Sequence, residues 1–232
     1  MSRSGAAAVY DEDYAERYDA LYLHPWRSKH ALNLRHLGRI LAALPARPRW
    51  LDLACGQAWH FSQFSDSIVK VGIDLSLAQL RRAMRNAPAA RFLQADMSEV
   101  ELPDGCFDLV TNFWAGYCYL NSRVRIEALV RKAARWVRPG GALYFEVLPG
   151  AHLASFNDSR FAAETRFRVV PTTPDYEEWA YEDSGGLHEM TSPPVEHFLQ
   201  WLAPSFRRVA THFAGGFMVD LIATGRLPAP GA

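Results

Sequence analysis

The sequence predicts an α/β protein: a doubly wound, mostly parallel seven-stranded sheet with a C-terminal antiparallel hairpin and a small antiparallel insert after strand five. Three observations carry this expectation. Between Trp50 and Leu148, short runs rich in Val, Ile, Leu and aromatics alternate with segments of helical periodicity, the order that buries a parallel sheet on both faces. Beyond Leu148 the runs are separated by turn residues, as in paired antiparallel strands. And 232 residues, 49% of them hydrophobic, suffice for one large core.

Taken in order, the chain before Trp50 reads as two helices. Tyr10, Tyr14, Tyr18 and Tyr22 stand four apart on one face of the first. Residues 1–48 are therefore expected to form a helical lid or cap. The strands "WLDLA", "IVKVGIDL", "ARFLQAD", "FDLVTNFW" and "ALYFEVL" follow. Between the last two, Ile126, Leu129, Val130, Ala133 and Val137 repeat at helical spacing over Asn121 to Val137. That helix should stop at "RPGG", where the next strand begins. After Leu148, "RFRVV" and "YEEWAYED" read as antiparallel strands and "SGG" as a turn. "PPVEHFLQWL" reads as a short helix with proline at its start. "FRRVATHF" and "GFMVDLIATGR" form the closing hairpin around Gly215 and Gly216. The expected division is 49–150 with 194–226 as the cofactor-binding domain, 151–193 as a substrate-side insert and 227–232 as a flexible tail.

Charge excludes some partners. Twenty-five basic and 25 acidic side chains cancel, whereas nucleic-acid binders usually carry a basic excess. "RRAMRNAPAAR" is the densest basic run and reads as the solvated face of a helix. The odd set Cys55, Cys106 and Cys118 contains no CxxC pair, so neither a disulfide framework nor a zinc site is expected. "LHEM" is not HExxH, and no metal is expected. No run approaches a membrane span or a signal peptide. The expectation is a cytoplasmic protein, monomeric or homodimeric, without nucleic-acid or membrane partners.

The sharpest question lies in "WLDLACGQAWH", at the end of strand one. In an open parallel sheet, ligands bind beyond the carboxyl ends of the strands, at the switch point. A dinucleotide fingerprint would need glycines at Ala54, Gly56 and Trp59. Trp59 blocks that geometry, and Asp52 is unsuited to a pyrophosphate. No GxxxxGK[ST] stretch is present either. A cationic cofactor fits better. S-adenosylmethionine carries an ammonium and a sulfonium and no phosphate, so it needs acids and carbonyls. Asp74 in "VGIDLS" can take both ribose hydroxyls, and Asp96 in "LQADMSEV" can accept from an adenine amino group.

"LDLACG", "VGIDLS", "QADMSEVELPDGCFDLV" and "RPGGALYFEV" occur in that order at matching spacing. Together they resemble the class I S-adenosylmethionine-dependent methyltransferases, whose sheet is Rossmann-like. The small-molecule members, including bacterial amino-sugar N,N-dimethyltransferases, are similar in "LDLACG", "FWAGYCYL" and "RPGGALYFEV". The likeness extends from about Tyr10 to Val147. It implies that Asp52, Ala54 and Gly56 form the loop under the methionine part, with the Ala54 carbonyl taking the ammonium. Asp74 would hold the ribose, Leu75 would pack on adenine, and Asp96 with the Met97 backbone would read the adenine edge. Asn112 and Phe113 would border the sulfonium, and Tyr14 would contact the cofactor from the lid. The departure is "GQAWH", where the family usually has glycine at the place of Ala58.

The implied function is methyl transfer to a nitrogen or oxygen of a small molecule, such as a secondary metabolite. Two alternatives stay open: a non-methylating reaction such as cyclisation on the same fold, or a non-catalytic cofactor-binding partner subunit. Methyl transfer is an in-line displacement, so the protein must align the nucleophile, exclude water and accept a proton where one leaves. The candidate base is His152, with Tyr14 and Tyr117 as further catalytic candidates. Candidates for the acceptor wall are Tyr18, Tyr22, Trp59, Trp114, Trp179 and His188, since aromatics can cradle a planar acceptor and face a sulfonium. For each, core packing is the plain alternative.

Overall fold

A computed structural model describes residues 12, 16, 26–159, 162–163, 168–183, 186–213 and 216–228. In chain order the elements are α1 (Arg27–Ala42), β1 (Arg49–Leu53), α2 (Trp59–Ser62), β2 (Val69–Asp74), α3 (Leu77–Asn86), β3 (Arg91–Gln94) and β4 (Phe107–Asn112). After a 3-10 turn at Gly116–Leu120 come α4 (Arg123–Trp136) and β5 (Val137–Val147). Two further 3-10 turns lead to β6 (Arg168–Pro171), β7 (Glu178–Asp183), β8 (Gly186–Thr191), α5 (Val195–Leu202), β9 (Phe206–His212) and β10 (Val219–Arg226).

Seven strands form one sheet in the order β3-β2-β1-β4-β5-β10-β9, and β6-β7-β8 form a second, three-stranded sheet. β1 runs parallel to β2 and β4. β10 runs antiparallel to both β5 and β9. Leu53 is level with Ile73 on one side and with Asn112 on the other. The carboxyl ends of β1, β2 and β4 therefore share one edge, and the strand order reverses at β1, where a ligand crevice is expected.

Strand alternation builds the core. Trp50, Leu109, Phe113 and Tyr144 face Leu37 and Ile40 of α1, Phe61 of α2 and Ala83 of α3. On the opposite face, Leu51, Leu53, Val110, Leu143 and Phe145 meet Ile126, Leu129, Val130 and Ala133 of α4 and Phe198, Trp201 and Leu202 of α5. All of β4 is buried, as befits a central strand covered on both sides. Hydroxyl caps open two helices: Ser76 accepts from the Gln79 N–H at the start of α3, and Ser122 from the Arg125 N–H at the start of α4.

Three details depart from the sequence reading. "RPGG" does not precede the fifth strand but lies within it: Phe107 pairs with Val137, yet Leu109 pairs with Ala142. The extra residues bulge out, with Gly140 at φ +82°, a conformation that suits glycine. The insert has a third strand, β8, where alternation was broken by polar residues. And α1, expected within a cap, packs directly on the sheet. The tyrosine-bearing stretch of the expected lid lies outside the described residues, apart from Glu12 and Glu16. These two are helical and pair with Arg81 and Arg82 of α3. Among the described residues no helix is long and apolar enough to cross a membrane.

Candidate active site

The loop after β1 is built from left-handed residues. Ala54, Gly56 and Ala58 have φ of 53°, 52° and 56°, so the chain reverses within five residues. The Ala58 N–H donates to the Cys55 carbonyl at 2.8 Å, closing the turn, and Ala58 then caps α2. A Cβ built on Gly56 would meet nothing within 4 Å. The backbone at Gly56 therefore borders open space, where a ligand can approach closely.

Two acids back this loop. Asp74 Oδ2 accepts the Gly56 N–H at 2.8 Å and Oδ1 the Ser76 N–H at 2.9 Å. A carboxylate has about four acceptor positions, so Asp74 retains capacity for hydroxyl donors. Burial raises its pKa, opposed by the backbone N–H groups of Ser76 and Gly56. Asp52 is 2% exposed and accepts from the Thr111 hydroxyl at 2.6 Å, while Thr111 accepts from the Trp50 indole at 2.8 Å. Burial pushes the Asp52 carboxyl up to about 8, against the opposing bond from Thr111. A carboxyl held in that state is poised to ionise when a cation arrives.

The remaining cofactor candidates line the same edge, with differing freedom. Leu75 is half-buried and Met97 buried. Asp96 spends one oxygen on Ser98, accepting from its N–H at 2.9 Å and its hydroxyl at 2.7 Å, and leaves the other facing Arg125 at 3.7 Å. Asn112 is a brace: its amide donates to the Leu53 carbonyl at 2.8 Å and accepts the Tyr117 N–H at 3.2 Å. Phe113 stacks on His60 with ring centres 3.8 Å apart. Burial holds the His60 imidazole well below its usual pKa, hence neutral.

Aromatic rings gather beside this edge. Trp114 lies 5.8 Å from Trp26 and 5.3 Å from His30, and His30 lies 4.5 Å from Trp59. All three tryptophans are half-buried and so present surface. Phe217 joins the group through Trp26 at 6.3 Å. The Phe217 carbonyl is 3.0 Å from His152 Nδ1. A carbonyl only accepts, so Nδ1 is the donor in this contact and Nε2 is the ring nitrogen not engaged by it.

Three candidates lie away from this cluster, in the core. Tyr117 is 0% exposed and its hydroxyl accepts the Leu148 N–H at 3.0 Å; burial raises its pKa well above the usual value, so it is not placed as a catalytic acid or base. Trp179 is buried and donates its indole N–H to Ser192 at 2.8 Å. His188 is buried and stacks on Tyr181 at 4.2 Å. Tyr14, Tyr18 and Tyr22 lie outside the described residues.

Sequence reasoning missed a buried ionic group behind the aromatic cluster. Glu146 of β5 and its register partner Asp220 of β10 are 0% and 1% exposed. Lys29 of α1 bridges them, 2.7 Å from Glu146. Asn33 donates to Glu146 at 2.9 Å, and the Tyr144 hydroxyl donates to Asp220 at 3.0 Å. The available signal was Lys29, Asn33 and His36 at helical spacing on the same face as Leu37 and Ile40. Among the described residues no group of three or more His, Cys, Asp or Glu is placed to hold a metal ion.

A doubly wound sheet whose strand-end acids surround a small-residue loop defines an α/β protein of the nucleoside-cofactor-binding class. Comparison with known proteins narrows this. A family model described as a methyltransferase domain matches residues 51–141. The chain is 31% identical over 194 residues to the 27-O-demethylrifamycin SV methyltransferase of Amycolatopsis mediterranei (strain S699), covering 76% of this chain and 67% of that protein. It is 28% identical over 141 residues to the dTDP-4-amino-2,3,4,6-tetradeoxy-D-glucose N,N-dimethyltransferase of Saccharopolyspora spinosa, covering 60% of this chain and 56% of the relative. The crystal structure of Streptomyces venezuelae DesVI shares the fold, with a TM-score of 0.67 and 20% identity over 93% of this chain and 100% of that one. The chain belongs to the class I S-adenosylmethionine-dependent methyltransferase family. It spans 56–62% of the length of several curated relatives that it matches.

Proposed function

We propose that this protein transfers a methyl group from S-adenosylmethionine to a nitrogen or oxygen of a small molecule made in secondary metabolism. The observation that carries the reading is the Gly56 backbone, open on one side and bonded on the other to Asp74. The residues fit the cofactor. Asp52, Ala54 and Gly56 would hold its methionine part and Asp74 its ribose. Leu75, Asp96 and Met97 would surround the adenine, and Asn112 and Phe113 would border the sulfonium. S-adenosylmethionine, when bound, supplies the activated methyl group. The chain's own residues then have three tasks. Asp52 stabilises positive charge by ionising beneath the loop. Trp26, Trp59 and Trp114 present apolar surface that excludes water and orients the acceptor. His152 Nε2 is the position for a proton released by a hydroxyl acceptor; an amine arriving neutral needs no such base in the displacement.

The relatives support both nitrogen and oxygen as targets: two are named as amino-sugar N,N-dimethyltransferases and one as a methyltransferase of 27-O-demethylrifamycin SV. Calorimetry with S-adenosylmethionine and NAD tests the cofactor, and product mass from panels of amino sugars and of hydroxylated small molecules, 27-O-demethylrifamycin SV among them, tests the acceptor. Hydrogen bonds to charged groups contribute about 1.5–3 kcal/mol, so Asp74→Ala should weaken cofactor binding roughly tenfold or more. NAD binding alone, or an unchanged affinity in the variant, defeats the reading.

A further inference from the structure

We propose that Glu146 is a positioning residue for the acceptor side of the site, acting through the turn that carries Trp114. The proposal rests on the reading that the loop after β4 borders the acceptor. Trp114 and Ala115 are two consecutive non-glycine residues in the left-handed region, with φ of 55° and 49°. Side chains disfavour that conformation, and it persists only where the surroundings over-determine it. Two contacts do so here. At the start of the turn, the Trp114 N–H donates to Glu146 Oε2 at 2.6 Å. At its end, Gly116 is pressed against the cofactor loop: a Cβ there would lie 2.7 Å from Ala54 Cβ and 3.2 Å from Asn112 Nδ2.

Glu146 cannot swing away from this task. Its other oxygen is held from α1 by Lys29 at 2.7 Å and by Asn33 at 2.9 Å. Nor is Glu146 needed to neutralise Lys29, because Asp220 on the neighbouring strand already pairs with that lysine. A second fully buried carboxylate is costly and is often replaceable by an apolar side chain. Its distinctive contribution is the bond to the Trp114 turn, which sets the indole against Trp26 and His30. The same turn joins α1, β5 and the loop after β1, so the acceptor wall and the cofactor loop are held in one register.

The test uses the full chain with 5-fluorotryptophan, the Trp114 resonance being assigned with Trp114→Phe. In Glu146→Ala the Trp114 resonance should shift or broaden while those of the core residues Trp50 and Trp136 stay. Glu146→Gln, which keeps an acceptor oxygen for the Trp114 N–H, should restore it. Ala115→Gly removes the need to force one left-handed residue, so its effect on melting temperature should differ between the Glu146→Ala background and the wild type. Purely additive changes in that cycle, or an unmoved Trp114 resonance, overturn the proposal. Glu146→Leu serves as a second variant that refills the space. Failure of both variants to fold, even with Ala115→Gly, assigns Glu146 to core charge balance and likewise overturns it. These measurements need no ligand. Titration of the wild type with S-adenosylhomocysteine tests the cofactor reading separately.

Discussion

Asp52 shows how a single residue can link burial to ligand charge. A carboxyl that titrates near 8 in the folded chain and near about 4 in an unfolded one binds a proton in the native state across the interval between. Stability from this group is therefore greatest below about 4 and falls as pH rises towards about 8. A cation bound nearby reverses the preference, so the proton leaves on binding. Affinity for S-adenosylmethionine should rise by up to roughly tenfold per pH unit below about 8, with proton release visible by calorimetry in buffers of different ionisation enthalpy. Asp52→Asn should abolish both. A pH-independent affinity in the wild type would show that Asp52 does not meet the cation. Ala58 gives a second test at this scale. Glycine there relieves a left-handed φ of 56°, worth about 1–2 kcal/mol. It also loses a buried methyl, about 0.8 kcal/mol, and adds unfolded-state entropy, about 0.4–1 kcal/mol. The terms nearly cancel, so Ala58→Gly should change stability by less than about 1 kcal/mol. Ala83→Gly, inside α3 and fully buried, should cost about 1–2 kcal/mol in urea unfolding. Equal losses at the two sites would remove the strain argument.

At the scale of the element, the central strands β1, β4 and β5 and helix α4 were legible because one physical rule dominates each: apolar runs for strands covered on both faces, and a repeat of 3.6 for α4. The loop after β1 stood out as a candidate site because its small residues and Asp74 stand at strand ends. Less legible was which face each aromatic would take. Tyr117, Trp179 and His188 lie in a segment where the insert packs onto the main core, and single-chain spacing cannot tell that core from a pocket wall. The attachment of α1 was not legible for a different reason: its inner face carries Lys29, Asn33 and His36, and the acids that meet them, Glu146 and Asp220, come from more than a hundred residues away. This polar face is what fastens the helix. Removing one partner of a buried pair typically costs about 3–5 kcal/mol, so Lys29→Met, which strands two carboxylates, should destabilise the protein by about that amount. Arg39→Met at the exposed end of the same helix should change stability by less than about 0.5 kcal/mol. Comparable losses would mean that α1 is held by its apolar contacts alone.

For the whole molecule, that fastening bears on where a lid could begin. The expected cap ran to residue 48, but the Lys29, Asn33, Leu37 and Ile40 contacts tie the chain to the sheet from α1 onward. Before Trp26 the described residues are Glu12 and Glu16, which pair with Arg81 and Arg82; ion pairs with a solvent-exposed carboxylate contribute at most about 1 kcal/mol each. Both arginines lie on α3, the helix that follows the Asp74 strand end, so a lid anchored there would reach the cofactor edge. Such a lid, carrying Tyr14, Tyr18 and Tyr22, would close over both ligands and exclude water. Deletion through Leu23 should therefore leave a folded domain whose melting temperature falls by only a few degrees. Affinity for S-adenosylhomocysteine should fall only by what Tyr14 and closure contribute, roughly tenfold at most, while turnover drops sharply. Deletion through Ala43, which removes Lys29 and the apolar face of α1, should leave an insoluble chain. Hydrogen exchange supplies the independent check: amides of residues 10–23 should gain protection when S-adenosylhomocysteine is added. Full protection of those amides without ligand, or aggregation of the shorter deletion, would make the segment part of the core and end the lid proposal.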